Sequence, residues 1–114
     1  MQELDRNCTI LGHIKSYCDE IEKTVIRFGD DRQIFLDDSI YRNACALSIL
    51  QIGELANHLG KEFRSDNIEI PWNQVIGIRN IIAHGYGTIV PETEWEIIKD
   101  DIPNLRTFCE KKLG

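Results

Sequence analysis

Four residues able to do chemistry crowd into the stretch "GIRNIIAHGYG", Gly77 to Gly87: Arg79, Asn80, His84 and Tyr86. A guanidinium forks onto carboxylate or phosphate oxygens and keeps its charge at any physiological pH. An imidazole gives and takes protons near neutrality. Asn80 stands four residues before His84, on the same helix face and within reach to orient it. Each also has a plain structural reading: Arg79 as a snorkelling or ion-paired arginine, His84 as a helix cap, Tyr86 as packing.

The element that must position them is a short helix, Trp72 to His84, with Pro71 suited to its first turn. At about 100° per residue, Trp72, Val75, Ile76, Ile78, Ile81, Ile82 and Ala83 fill one arc. Asn73, Gly77, Asn80 and His84 fill another. Arg79 falls inside the apolar arc, beside Trp72 and Ala83. An unpaired buried charge costs several kcal/mol, so this arginine needs a partner. Glu54 matches it, because it aligns with Leu47 and Leu50 on an apolar line of the preceding long helix. A Glu54–Arg79 contact answers both anomalies; so does a cleft or subunit interface that both charges face. Gly85 takes the C′ position that favours left-handed backbone. His84 then feels the negative end of the helix dipole, and Tyr86, at C″, folds back near the last turn.

Helical periodicity dominates the rest of the chain and predicts an all-α, antiparallel bundle of four or five helices in one domain, residues 1–114. The first helix is expected from Glu3 to Phe28, with Leu4, Cys8, Leu11, Ile14, Cys18, Ile21 and Val25 on its inner face. The second is expected from Asp31 to Leu59, its middle "NACALSILQIG" apolar almost all round and so centrally buried. Gly60 stops it, and "KEFRSDNIEI" forms a polar connector with room for a short helical turn. Pro91 opens a last helix with Glu92 and Glu94 where the dipole favours them, and Pro103 should kink or break it.

Composition bounds the function. With 42% hydrophobic and 28% charged residues the chain reads as a soluble globular protein. The charged N-terminus lacks the apolar core of a signal peptide, and no apolar run reaches the ~20 residues of a membrane span, which points to the cytoplasm. Cys8, Cys18, Cys45 and Cys109 are expected as buried free thiols. His13, His58 and His84 show no metal-ligand spacing, so no metal is expected. A net charge of −6 is the wrong sign for an extended phosphate grip, so any nucleic-acid site must be small, or shared with a partner or an oligomer.

"RNIIAH" resembles the Arg-polar-x3-His signature of the HEPN superfamily, and "AHGY" extends it to the Arg-x4-His-x-Tyr form of the HepT toxins. The flanking segments "DRQIFLDD", "LQIGELANHLG", "IEIPWNQVIGIRN" and "TEWEIIKDDIPNL" are similar to HepT-type sequences in order and spacing. One departure stands out: Leu47 and Ser48 occupy positions where many relatives carry Arg-Asn. The resemblance implies a helical bundle that dimerises with its Arg-x4-His segments facing across a cleft, and metal-independent cleavage of RNA. It also implies a partner, a small MNT-type nucleotidyltransferase antitoxin that transfers AMP from ATP onto the motif tyrosine, here Tyr86. No cofactor is implied beyond that donated AMP.

Without a metal, RNA is cleaved most readily by attack of the 2′-OH on the adjacent phosphate. Arg79 and His84 suit phosphate binding and acid–base work, with Asn80 and Glu54 in support. Five residues separate Arg79 and His84 by ~7.5 Å along the helix and ~140° around it. The reaction uses an acid and a base, whereas one chain has one motif histidine. A twofold homodimer supplies two of each residue to one cleft. Two further readings fit the residues: a non-catalytic nucleotide- or substrate-binding subunit of a nucleotidyltransferase pair, and a helical dimerisation module with a structural Arg79–Glu54 pair.

Overall fold

A computed structural model describes residues 2–83 and 90–114, with side chains followed as far as Ile78 in the helix that ends at Ala83. Every element among them is helical: α1 Gln2–Phe28, α2 Arg32–Asp37, α3 Ser39–Asn57, α4 Lys61–Asp66, α5 Trp72–Ala83, α6 Pro91–Glu96, a π turn Ile97–Asp101, and α7 Ile102–Leu113. The expected all-α bundle is present.

The first helix forms nearly as expected, but its inner face is rotated at the N-terminal end. Ile10, Leu11, Ile14, Cys18, Ile21 and Val25 are buried, whereas Leu4 and Cys8 are exposed. Asn7 takes the inward place because its side-chain oxygen accepts a hydrogen bond from the Gly60 N–H at 3.1 Å. That bond satisfies the backbone at the start of α4, and it turns the neighbouring Cys8 out to solvent. The other three thiols are buried as expected; burial pushes Cys18 and Cys45 up to about 12 and Cys109 to about 11, leaving them protonated and inert.

The long second helix expected from Asp31 to Leu59 is cut in two at Asp38. Asp31 caps α2 by accepting from the N–H groups of Gln33 and Ile34, and Asp38 caps α3 by accepting from Ile40 and Tyr41. An aspartate whose carboxylate takes the backbone donors competes with helix continuation. The break lets α2 deliver Phe35 to the core, where its ring meets Tyr41 edge-on at 4.9 Å and Trp95 at 5.2 Å. The buried Tyr41 hydroxyl donates to the Gly29 carbonyl at 3.0 Å, and Gly29, at φ 121°, makes the left-handed turn that ends α1. Arg42 closes the corner by donating to the carbonyls of Leu36 and Phe35 at the end of α2.

The helix is also less central than its apolar sequence suggests. Tyr41, Cys45, Ile49, Ile52 and Ala56 face the core, while Ile40 is 68% and Leu47 60% exposed. The connector does hold a short helix, α4. The last helical run divides just ahead of Pro103, which sits in the first turn of α7, and the two pieces are joined by a π turn, in which the Ile102 N–H donates to the Ile97 carbonyl.

Glu94 lies in the first turn of α6 as expected, but it is buried there. It is 3% exposed, and its Oε2 has no hydrogen-bond partner among the described residues. Burial pushes its carboxyl up to about 8, opposed in part by the charge of Arg42. Glu94 therefore stays protonated in the folded chain over a range in which the unfolded chain has released that proton. Folding binds a proton there, so stability falls by up to roughly 1.4 kcal/mol per pH unit as pH rises toward the folded value, then levels off. Replacing Glu94 by Gln should flatten this dependence in denaturant melts between about pH 5 and about pH 8. An unchanged slope would show that Glu94 is not its source.

Candidate ribonuclease site

The helix that carries the motif is anchored at its N-terminal end. Trp72 is buried, its indole N–H donates to the Asn67 carbonyl at 2.9 Å, and its ring meets Phe108 of α7 edge-on at 5.6 Å. Phe63 of α4 closes the cluster, 6.3 Å from Trp72 and 6.2 Å from Phe108. The N–H groups of Gln74 and Val75 both bond the Pro71 carbonyl, so the helix starts where Pro71 predicts. From this anchor α5 runs along α3 and makes only slight contact with the rest of the bundle. Val75, Ile76 and Ile78 are only half-buried against the core.

Helix α3 presents two lines of side chains. The inner line is the core face given above. The outer line is Ile40, Ala44, Leu47, Gln51 and Glu54, which recur at alternating intervals of four and three residues. Ile40, Ala44 and Leu47 are exposed, and Gln51 and Glu54 are half-buried. Alternating four–three spacing is that of a helix-pairing seam. The line through Leu47 and Glu54 is thus a flank of α3 beside the core, not part of it, and Glu54 sits where that flank passes from solvent into the bundle.

Arg79 and Asn80 lie on the α5 backbone, which places their positions on a helix packed beside the one that bears Glu54. The side chains of Arg79 and Asn80 lie outside those described, and with them the expected Glu54–Arg79 contact. His84 and Tyr86 also lie outside the described residues. Among the described residues no group of three or more His, Cys, Asp or Glu is arranged to hold a metal ion. No described helix is long and apolar enough to cross a membrane.

Two features escaped the sequence reading. One is the four–three line of α3, present in the spacing but hidden inside a helix that looked apolar all round. The other is an acidic groove between α5 and the α6–π–α7 run, which no local pattern announces.

Comparison with known proteins identifies the family. The family described as ribonuclease HepT-like matches residues 14–112. A protein of Caldanaerobacter subterraneus named "Putative RNase" is 33% identical over 83% of this chain and 83% of its own. One of Methanocaldococcus jannaschii, also named "Putative RNase", is 30% identical over 80% of this chain and 85% of its own. A Thermococcus cleftensis protein named "Probable ribonuclease HepT" is 24% identical over 85% of this chain and 93% of its own. No solved structure matches significantly. With the match running through α1 to α7 and across the Arg-x4-His-x-Tyr segment, the chain belongs to the HepT-like ribonuclease family.

Proposed function

We propose that this protein is the toxin of a type VII toxin–antitoxin pair, a metal-independent endoribonuclease that works as a twofold dimer and is silenced by adenylylation of Tyr86. The observation that carries the reading is the family match across a chain that keeps Arg79, His84 and Tyr86 in the family's spacing.

In this reading one His84 takes the proton of a ribose 2′-OH, which attacks the adjacent phosphorus. The P–O5′ bond breaks, and the His84 of the second chain gives a proton to the leaving 5′-oxygen. The products are a 2′,3′-cyclic phosphate and a 5′-OH. Arg79 forks onto the phosphorane oxygens, whose charge peaks in the transition state. Asn80 and Glu54 hold these groups in register. Two chains double the positive charge of the cleft, which lets a molecule of net charge −6 take RNA.

The outer line of α3 supports the pairing. A chain that leaves Ile40, Ala44 and Leu47 in solvent, at the spacing of a helix seam and on the helix that flanks α5, has a natural surface for a second copy. Silencing follows from charge: the Tyr86 phenol attacks the α-phosphorus of ATP, pyrophosphate leaves, and the added phosphodiester competes with RNA phosphate for Arg79.

Three outcomes are expected. Arg79→Ala and His84→Ala should each abolish cleavage of total RNA in EDTA, a loss of at least about a hundredfold, with helix content unchanged; an active His84→Ala would sink the mechanism. Leu47→Glu should weaken self-association at least about tenfold in sedimentation and lower cleavage in parallel, while a 60% exposed site leaves the fold of the single chain intact. Co-expression with the cognate nucleotidyltransferase should raise the intact mass by one or more AMP units, all on Tyr86. Tyr86→Phe should remain an active nuclease that escapes this modification, and a Tyr86→Phe chain that still gains AMP would refute the assignment.

A further inference from the structure

We propose that the groove between α5 and the α6–π–α7 run is a docking site for a protein partner that presents a basic amphipathic helix. The groove encloses about 390 Å³, and its floor is apolar, built from Ile49 and Ile52 of α3, Val75 and Ile78 of α5, and Leu105 of α7. That volume suits two or three aliphatic side chains, as a helix inserts from one face. The rim carries four carboxylates: Glu69 on the connector before α5, and Glu96, Asp100 and Asp101 across from it.

No Lys, Arg or His is among the described residues lining the groove. Of the described cations next in sequence to the lining, Lys99 pairs with Asp30 at 2.7 Å and lies 5.6 Å from the Trp95 ring centre, and Arg106 pairs with Asp19 at 2.7 Å and Glu22 at 2.8 Å. The rim acids consequently act on one another: burial and the charges of Asp100 and Glu96 hold the Asp101 carboxyl above its usual range. An incoming cation relieves that repulsion, whereas an RNA phosphate would add to it. A single metal ion does not fit either, because the acids do not converge on one point among the described residues; they flank an apolar floor from both sides. An occupant with an apolar stripe bordered by Lys or Arg matches both the floor and the rim. The π turn contributes Ile97, Asp100 and Asp101 to the groove, and such turns recur where helices serve a function.

The inference does not rest on the ribonuclease reading, and its test separates the two. The probe is a fluorescent synthetic helix with Leu at positions i, i+3 and i+7 flanked by Lys, titrated into the full chain by anisotropy. The double variant Asp100→Asn, Asp101→Asn should weaken binding about tenfold or more, with RNA cleavage unchanged. Asp5→Asn with Glu20→Gln removes the same charge from exposed positions of α1 and should alter binding less than about twofold. A Lys→Glu version of the peptide should not bind. Absence of binding by the Lys peptide, equal weakening by the α1 variant, or equal binding of the Glu peptide would each overturn the proposal. So would stoichiometric Mg²⁺ or Ca²⁺ binding lost in the double variant, which would mark a cation site, or a change in its self-association, which would mark a second copy as the occupant.

Discussion

Helix α5 is held along α3 and pinned at one end by Trp72, and the rest of the molecule's working surface depends on that limited attachment. Among the described residues α3 is its main neighbour. Beside it, the outer line of α3 is exposed at Ile40, Ala44 and Leu47. Between α5 and α7 lies the acidic groove, floored in part by Val75 and Ile78. Were α5 packed as fully as α1, its half-buried isoleucines would be core and neither surface would exist. Val75, Ile76 and Ile78 are thus left only half-buried among the described residues.

The other end of the bundle uses polar groups to fix geometry where apolar packing alone would leave register free. Asp31 and Asp38 cap successive helices, Arg42 closes the end of α2, and Tyr41 ties α3 to the turn at Gly29. Glu94 sits behind this corner as a buried acid with an unpartnered oxygen. Its neutral form is what the core tolerates, since an ionised carboxylate without a full set of partners is far more costly. The charge of Arg42 offsets only part of that burial.

Charge is distributed by function and not spread evenly. The chain is acidic by six, and the groove concentrates four of its carboxylates without a described cation. Such a surface repels nucleic acid, so RNA would have to be gathered at the motif itself, where the proposed pairing of two chains doubles the arginines and histidines. The acidic flank is then left for a partner of opposite sign.

Much was legible without coordinates because it is local. Proline at 71 and 91 started helices, Gly29 ended one, the seven-residue recurrence of apolar side chains built α1, and the spacing of Arg79, His84 and Tyr86 carried the family. What required the tertiary structure was every choice between two acceptable local states. Asp38 could continue a helix or cap one, and the need to bring Phe35 against Tyr41 and Trp95 decided for the cap. Cys8 and Asn7 are adjacent, and the lone backbone N–H of Gly60, fifty-three residues away, drew Asn7 inward and Cys8 out. Pro103 could end the helical run or be absorbed, and the buried side chains of Ile97, Ile98 and Ile102 before it and of Leu105 and Phe108 after it kept the run going through a π turn. Glu54 shares a line with Leu47 in the sequence, yet only the direction from which α1 and α5 approach α3 determines which line of that helix faces inward. Periodicity states which side chains share a face; it carries no information about how many neighbours will cover that face, because those neighbours come from distant parts of the chain or from another molecule.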